Sequence, residues 1–188
     1  MAFLTQEQIE KIGFKSVGKN VKISDKAVFY HPERISIGNN VQIDDFCTIG
    51  NNVEIQNNIH LAVYCSVLST EGALIKFEDF SGMAARCTVF AHTADYSGKY
   101  MTNPTVPMKY KHGTIKSVTI GRHCIIGVGS VIFPGANLAE GTSIGAMSCI
   151  RKPTLPWKVY IGNPARPIMD RSKNVLELEK QYLAECGE

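Results

Sequence analysis

Residues 35–68 read ISIGNNVQIDDFCTIGNNVEIQNNIHLAVYCSVL, and this stretch decides the fold. Ile37, Ile43, Ile49, Ile55, Leu61 and Val67 recur every six residues, and Val41, Cys47, Val53, Ile59 and Cys65 follow the first five at an offset of four. After an interruption the beat resumes as Ile120, Ile126, Ile132, Leu138, Ile144 and Ile150, with Cys124, Ser130, Ala136, Thr142 and Ser148 at the offset position. A period of six fits neither an α-helix nor strict strand alternation, whereas a short strand followed by a turn repeats at that length. Three such units make one coil of about eighteen residues, and stacked coils form a parallel β-helix shaped as a triangular prism. The first-position aliphatic points inward, and the thin residue at the fifth position sits where the wall bends. Asn-Asn pairs at 39–40, 51–52 and 57–58 suit the corners, because Asn tolerates the left-handed backbone conformation and bonds its own backbone. Between the runs the same frame places Ile75, Ser81 and Cys87 inward, with Asp79 and Ala85 at the fifth position, for about six coils. A β-sandwich is disfavoured, since its strands are usually longer, alternate with period two and are spaced by about eight to twelve residues.

The chain has 188 residues, 44% of them apolar, and a formal net charge of +3, which bounds it to one globular domain with small additions. No run of Lys or Arg marks a nucleic-acid surface, and no apolar stretch is long enough to span a bilayer. A polar start without a signal peptide points to the cytoplasm. Cys47, Cys65, Cys87 and Cys124 fall on repeat positions and read as core filler in a reducing compartment, and no Cys-x-x-Cys pair suggests a metal.

The ends depart from the repeat. Thr5-Gln6-Glu7-Gln8 is a capping box that opens a short helix closed by Gly13, expected as a lid over the first coil within residues 1–16. Residues 17–168 are assigned to the β-helix. Residues 169–188 are assigned to a C-terminal helix, in which Val175, Leu176, Leu178, Tyr182 and Leu183 stand among charges.

From about 93 to 117 the hexad is lost. A long excursion from a regular solenoid is uncommon unless it serves function. Pro104 and Pro107 stiffen it, tyrosines give it amphipathic surface, and Tyr96, Asn103, Tyr110 and His112 are candidate acceptor contacts. His92 stands at its mouth. Imidazole, with a reference pKa of ~6.5, suits general-base work, so His92 is the candidate base, with Asp95 to orient it, bind substrate or act in its place.

These residues resemble a known family. The hexads, the segment His92-Thr93-Ala94-Asp95-Tyr96-Ser97-Gly98, the segment Tyr100-Met101-Thr102-Asn103-Pro104-Thr105-Val106-Pro107 and the closing Ile161-Gly162-Asn163-Pro164-Ala165-Arg166-Pro167 are similar to the left-handed β-helix acyltransferases. Among these they look most like the sugar O-acetyltransferases related to galactoside, maltose and surface-polysaccharide enzymes. The resemblance covers residues 17 to 170. It implies a homotrimer with active sites between subunits, acetyl-CoA as co-substrate, no metal, and direct transfer to a hydroxyl of a sugar or polysaccharide precursor with His92 as base. It also implies that Gly127, Gly129, Gly145 and Ala146 line the pantetheine channel, and that Arg151, Lys152 and Arg166 meet the nucleotide end. Met169 replaces a second Arg of the pattern, with Arg171 as its substitute. The alternatives are N-acetylation of a nucleotide-linked amino sugar and a non-catalytic β-helix scaffold. A zinc-dependent γ-type carbonic anhydrase, which shares the fold, lacks its paired His here.

Overall fold

A computed structural model describes residues 2–186. Three parallel sheets wrap around one core as a solenoid of about seven turns. The first face carries Ser16–Val17, Ile35–Ile37, Val53–Ile55, Ile75–Phe77 and Val118–Ile120; the third carries Val28–Tyr30, Thr48–Gly50, Ser66–Leu68, Thr88–Phe90, Val131–Ile132 and Cys149–Ile150. The second face runs through Lys22–Ile23, Val41–Ile43, Ile59–Leu61, Gly82–Met83, Ile125–Ile126, Ser143–Ile144 and Lys158–Gly162, and the antiparallel strand Ala165–Asp170 ends it.

Both hexad series face inward. Ile37, Ile43, Ile49, Leu61 and Val67 are buried, and so are their offset partners Val41, Cys47, Val53, Ile59 and Cys65. The thiols do not leave polar hydrogen unpaired: Cys47, Cys65 and Cys124 donate to carbonyls of Ala62, Ala84 and Ala139, each at 3.1 Å. Burial pushes the Cys124 thiol up to about 12, so it stays protonated and packs as a small apolar group.

The fourth coil corrects the sequence frame. Ile75 pairs with Val53 and Phe77 with Ile55, so Ile75, Ser81 and Cys87 continue the thin series while Phe77, Met83 and Val89 continue the aliphatic one. Asp79 and Ala85 lie at corners rather than in the wall. The cause is the turn at 69–74, which adds residues to that coil and shifts the phase. Asp79 also reveals how the corners work. Asn39, Asn57 and Asp79 accept backbone amides of Lys19, Asn39 and Asn57 respectively, each at 2.8 Å, so the side chains tie one coil to the coil before it rather than to their own backbone. The neighbouring Asn40 and Asn58 take positive φ, 54° and 57°, as their corner role requires.

Length variation is confined to one edge, the corner leading from the third face to the first. The 3₁₀ turn Pro32–Arg34, the turn at 69–74 and the excursion all leave the solenoid there, whereas the intervening visit at 51–52 adds no length.

The first coil and one side of the prism are covered. Helix α1 (Gln6–Ile12) begins with the reciprocal Thr5–Gln8 capping box, ends on Gly13 at φ 81°, and drives Ile9 into the core. Leu4 donates to Ile23 O at 2.8 Å, which occupies the open edge of the first coil. Helix α2 (Val175–Cys186) lies back against the prism, where Glu179 meets Arg122 and His123 and Tyr182 Oη donates to Asn58. Burial, with Arg122 and Arg171 nearby, holds His123 below its ordinary value, so Nε2–H of the neutral ring donates to Glu179 at 2.7 Å.

Phe77 is the largest fully buried side chain and sits at the phase shift. Phe77→Ala is expected to cost about 3–5 kcal/mol, read as a lower urea midpoint with unchanged slope at fixed protein concentration. A change below 1 kcal/mol would show that the coil collapses onto the gap.

Candidate active site

Two groups of residues assemble along the third face. At the last coils, Arg151, Lys152 and Arg166 line a cavity of about 440 Å³ together with Cys149, Tyr160 and Pro164, and no carboxylate is among its lining residues. Arg151 and Lys152 follow the final third-face strand, and Arg166 comes from the closing hairpin, whose Gly162 N–H donates to Ser148 Oγ at 3.1 Å. Three cations converging without a counter-charge suit a polyanion.

Gly127, Gly129, Gly145 and Ala146 lie at the preceding corner, outside that cavity. A Cβ on Gly127 would come within 2.7 Å of Ala146 N and of Ile144 O, so this glycine lets the next coil close against it. Gly129, at φ 70°, lies beneath Met147 Sδ, and the Met147 side chain stands exposed at the corner. Arg171 does not reach toward the basic cavity. Its Nη1 donates to His123 O at 2.6 Å and Gly141 O at 3.1 Å, which pins the start of the C-terminal segment and removes it as a substitute phosphate contact.

At the fourth coil the excursion begins as an antiparallel hairpin, His92–Ala94 against Gly113–Ile115, where the sequence showed only loss of the hexad. His92 pairs with Ile115 and Ala94 with Gly113, so these four side-chain positions share one face of the hairpin. The tip folds over that face and encloses a cavity of about 330 Å³ lined also by Met101, Pro104, Met108 and His112. His92 is exposed, and its ring makes no hydrogen bond among the described residues. Its Nε2 lies 3.0 Å from where a Cβ on Gly113 would stand, so the glycine makes room for the ring. Toward the wall, His92, Tyr96, Phe90 and Leu68 border a second hollow.

Asp95 does not touch His92. Its carboxylate accepts Ser97 N–H at 2.7 Å and Ser97 Oγ–H at 2.9 Å, and these bonds, aided by His112, hold it below the usual carboxylate range. Asp95 therefore shapes the turn and remains ionised. Asn103 caps its own turn by accepting from Thr105, and Tyr110 stands outside the cavity under Lys109. His112 packs against Tyr100 with ring centroids 5.0 Å apart.

An aromatic column that the hexads did not reveal joins the two groups. Arg151 lies 5.6 Å over the Phe133 ring, Phe133 packs on Phe90 at 4.9 Å, and Phe90 borders the His92 hollow. Phe133 and Phe90 each directly follow an inward aliphatic, Ile132 and Val89, which is the signal by which they could have been found.

No family model matches the chain. Over 185 residues it is 44% identical to a dTDP-4-amino-4,6-dideoxy-D-glucose acyltransferase of Escherichia coli, covering 97% of this chain and 95% of that one. The chain belongs to the hexapeptide-repeat sugar acyltransferases. Members of this kind draw the acyl group from a coenzyme A thioester, and this is an acyl-CoA-dependent acyltransferase. Its structure is similar to AntD, an N-acyltransferase from Bacillus cereus in complex with dTDP and 3-hydroxybutyryl-CoA, with a TM-score of 0.97, 41% identity and coverage of 99% of this chain and 98% of that one. A perosamine N-acetyltransferase variant from Caulobacter crescentus shares the fold at a TM-score of 0.60 and 16% identity, over 80% of this chain and 57% of that one.

Arg166→Ala and Arg151→Ala are each expected to raise the KM for acyl-CoA about tenfold with little change in kcat, and the loss should shrink at high salt. A fall in kcat at unchanged KM would show that the basic cavity does not hold the coenzyme.

Proposed function

We propose that the acyltransferase moves an acyl group from a coenzyme A thioester to the amino group of a dTDP-linked 4-amino-4,6-dideoxy sugar. The observation that carries this reading is the end-to-end 44% identity with an enzyme named for that amino sugar, supported by the same match to AntD. The hydroxyl acceptor expected from the sequence gives way to the amine that stood as its alternative. The hexads and closing segment mark the superfamily, whereas the acceptor is chosen by the excursion and its surroundings.

The geometry supports direct transfer. Arg151, Lys152 and Arg166 would hold the coenzyme's phosphates, and the Phe133–Phe90 column leads from them toward the hairpin, where the acyl end would lie. The neutral amine attacks the thioester carbon, the C–S bond breaks as the C–N bond forms, and the thiolate leaves. His92, whose ring makes no hydrogen bond among the described residues, accepts the proton lost by the amine and returns it to the departing sulfur. Asp95, occupied by Ser97, is the weaker candidate base. The working unit of this reading is a homotrimer in which a second copy completes the site, acting on nucleotide sugars in the cytoplasm. No described helix is long and apolar enough to cross a membrane.

Thiol release from acetyl-CoA and 3-hydroxybutyryl-CoA would be followed with dTDP-4-amino-4,6-dideoxyglucose and with dTDP-glucose, which offers only hydroxyls. The amine is expected to react at least about a hundredfold faster, since a site built around one polar group rejects its replacement strongly. Equal rates would overturn the amine assignment. His92→Ala is expected to lower kcat about 10²–10⁴-fold with KM nearly unchanged, and full activity in that variant would move the base elsewhere.

A further inference from the structure

We propose that the cavity within the excursion hairpin is an acyl-chain slot, built for acyl groups longer than acetyl. The proposal rests on the N-acyltransferase reading and adds the class of donor. The floor of the cavity follows from strand register: His92, Ala94, Gly113 and Ile115 share one hairpin face, as the pair His92 with Ile115 and, two residues on, the pair Ala94 with Gly113. Two of the smallest residues opposite each other leave a hollow next to the His92–Ile115 pair. Gly113 cannot be enlarged at no cost, because a Cβ there would lie 2.6 Å from Thr93 O and 3.0 Å from His92 Nε2. The hollow therefore opens beside the nitrogen assigned as base, where the acyl carbon must lie.

The roof has matching chemistry. Met101, Pro104 and Met108 present mostly carbon surface, and methionine, unbranched and polarisable, adapts to ligands of different shape. The two methionines are largely exposed in this chain, which leaves apolar surface over the hollow for an occupant to cover. Thr102, Lys111 and His112 supply polar atoms at the margin, so a hydroxyl on the chain has donors within the same cavity. A volume of about 330 Å³ is well beyond the need of an acetyl methyl and stands at the small end of the range, roughly 300–1,000 Å³, for ligand sites.

The test compares kcat/KM for acetyl-, butyryl- and 3-hydroxybutyryl-CoA with one amino-sugar acceptor, in the intact enzyme and two variants. Wild type is expected to use the longer donors at least as well as acetyl-CoA. Ala94→Leu fills the slot from the floor and is expected to lower the butyryl-to-acetyl ratio about tenfold or more, the discrimination that a filled apolar pocket gives. Met101→Ala opens the roof and is expected to hold or raise that ratio; it carries the test if the first variant does not fold. A wild-type preference for acetyl-CoA of tenfold or more, or equal slowing of all donors in both variants, would overturn the slot. Failure of the parent reading looks different: no donor would acylate the amine, whatever the slot contained.

Discussion

Every coil of this protein gives its strand hydrogen bonds to the next coil, so side chains between coils must fit a repeat set by the parallel sheet, about 4.8 Å. That spacing dictates most of the chain. Inward positions must stack like on like, which is why Ile follows Ile along each face. The thin series meets the bend of the wall, which is why Cys, Ser, Ala and Thr recur there and why buried thiols donate to carbonyls of the following coil. Gly127 belongs to the same rule, since any side chain would separate two coils where their backbones meet.

The fold was legible because the constraint acts at a fixed period. Ile37 through Val67 and Ile120 through Ile150 announced the solenoid, and the Thr5–Gln8 box announced the helix that covers it. The phase of the fourth coil was not legible, since a few extra residues in a turn carry no periodic mark; only pairing of Phe77 with Ile55 reveals them. The site was legible in pieces. The sequence named Arg151, Lys152 and Arg166, and the structure gathers them; it named His92 and His112, and they share a cavity. It could not show that Asp95 turns to Ser97, that Arg171 points inward, or that Phe90 and Phe133 link the two groups, because these depend on side-chain directions at corners where the repeat imposes no choice.

The C-terminal segment is more than a cover. Between Tyr160, within the last second-face strand, and Glu179, on helix α2, the chain passes through Arg166 and is pinned by Arg171. The basic cavity thus gains one of its three cations from a hairpin secured on both sides: Gly162 to Ser148 at one end, and Arg171 and Glu179 to the corner around His123 at the other. A mobile arginine would lose more entropy on meeting a phosphate, so this anchoring favours tight capture.

All irregular length leaves the solenoid along a single edge, with the other two edges kept nearly uniform. A consequence is separation of tasks within one polymer. The uniform edges keep the coils in step, whereas the third carries the added length without disturbing its neighbours, because a loop leaving a corner alters no ladder. Such a chain can exchange its excursion while the basic cavity of Arg151, Lys152 and Arg166, two coils away, is left untouched. Related enzymes with other acceptors should therefore differ most along this seam, like interchangeable teeth on a common key blank.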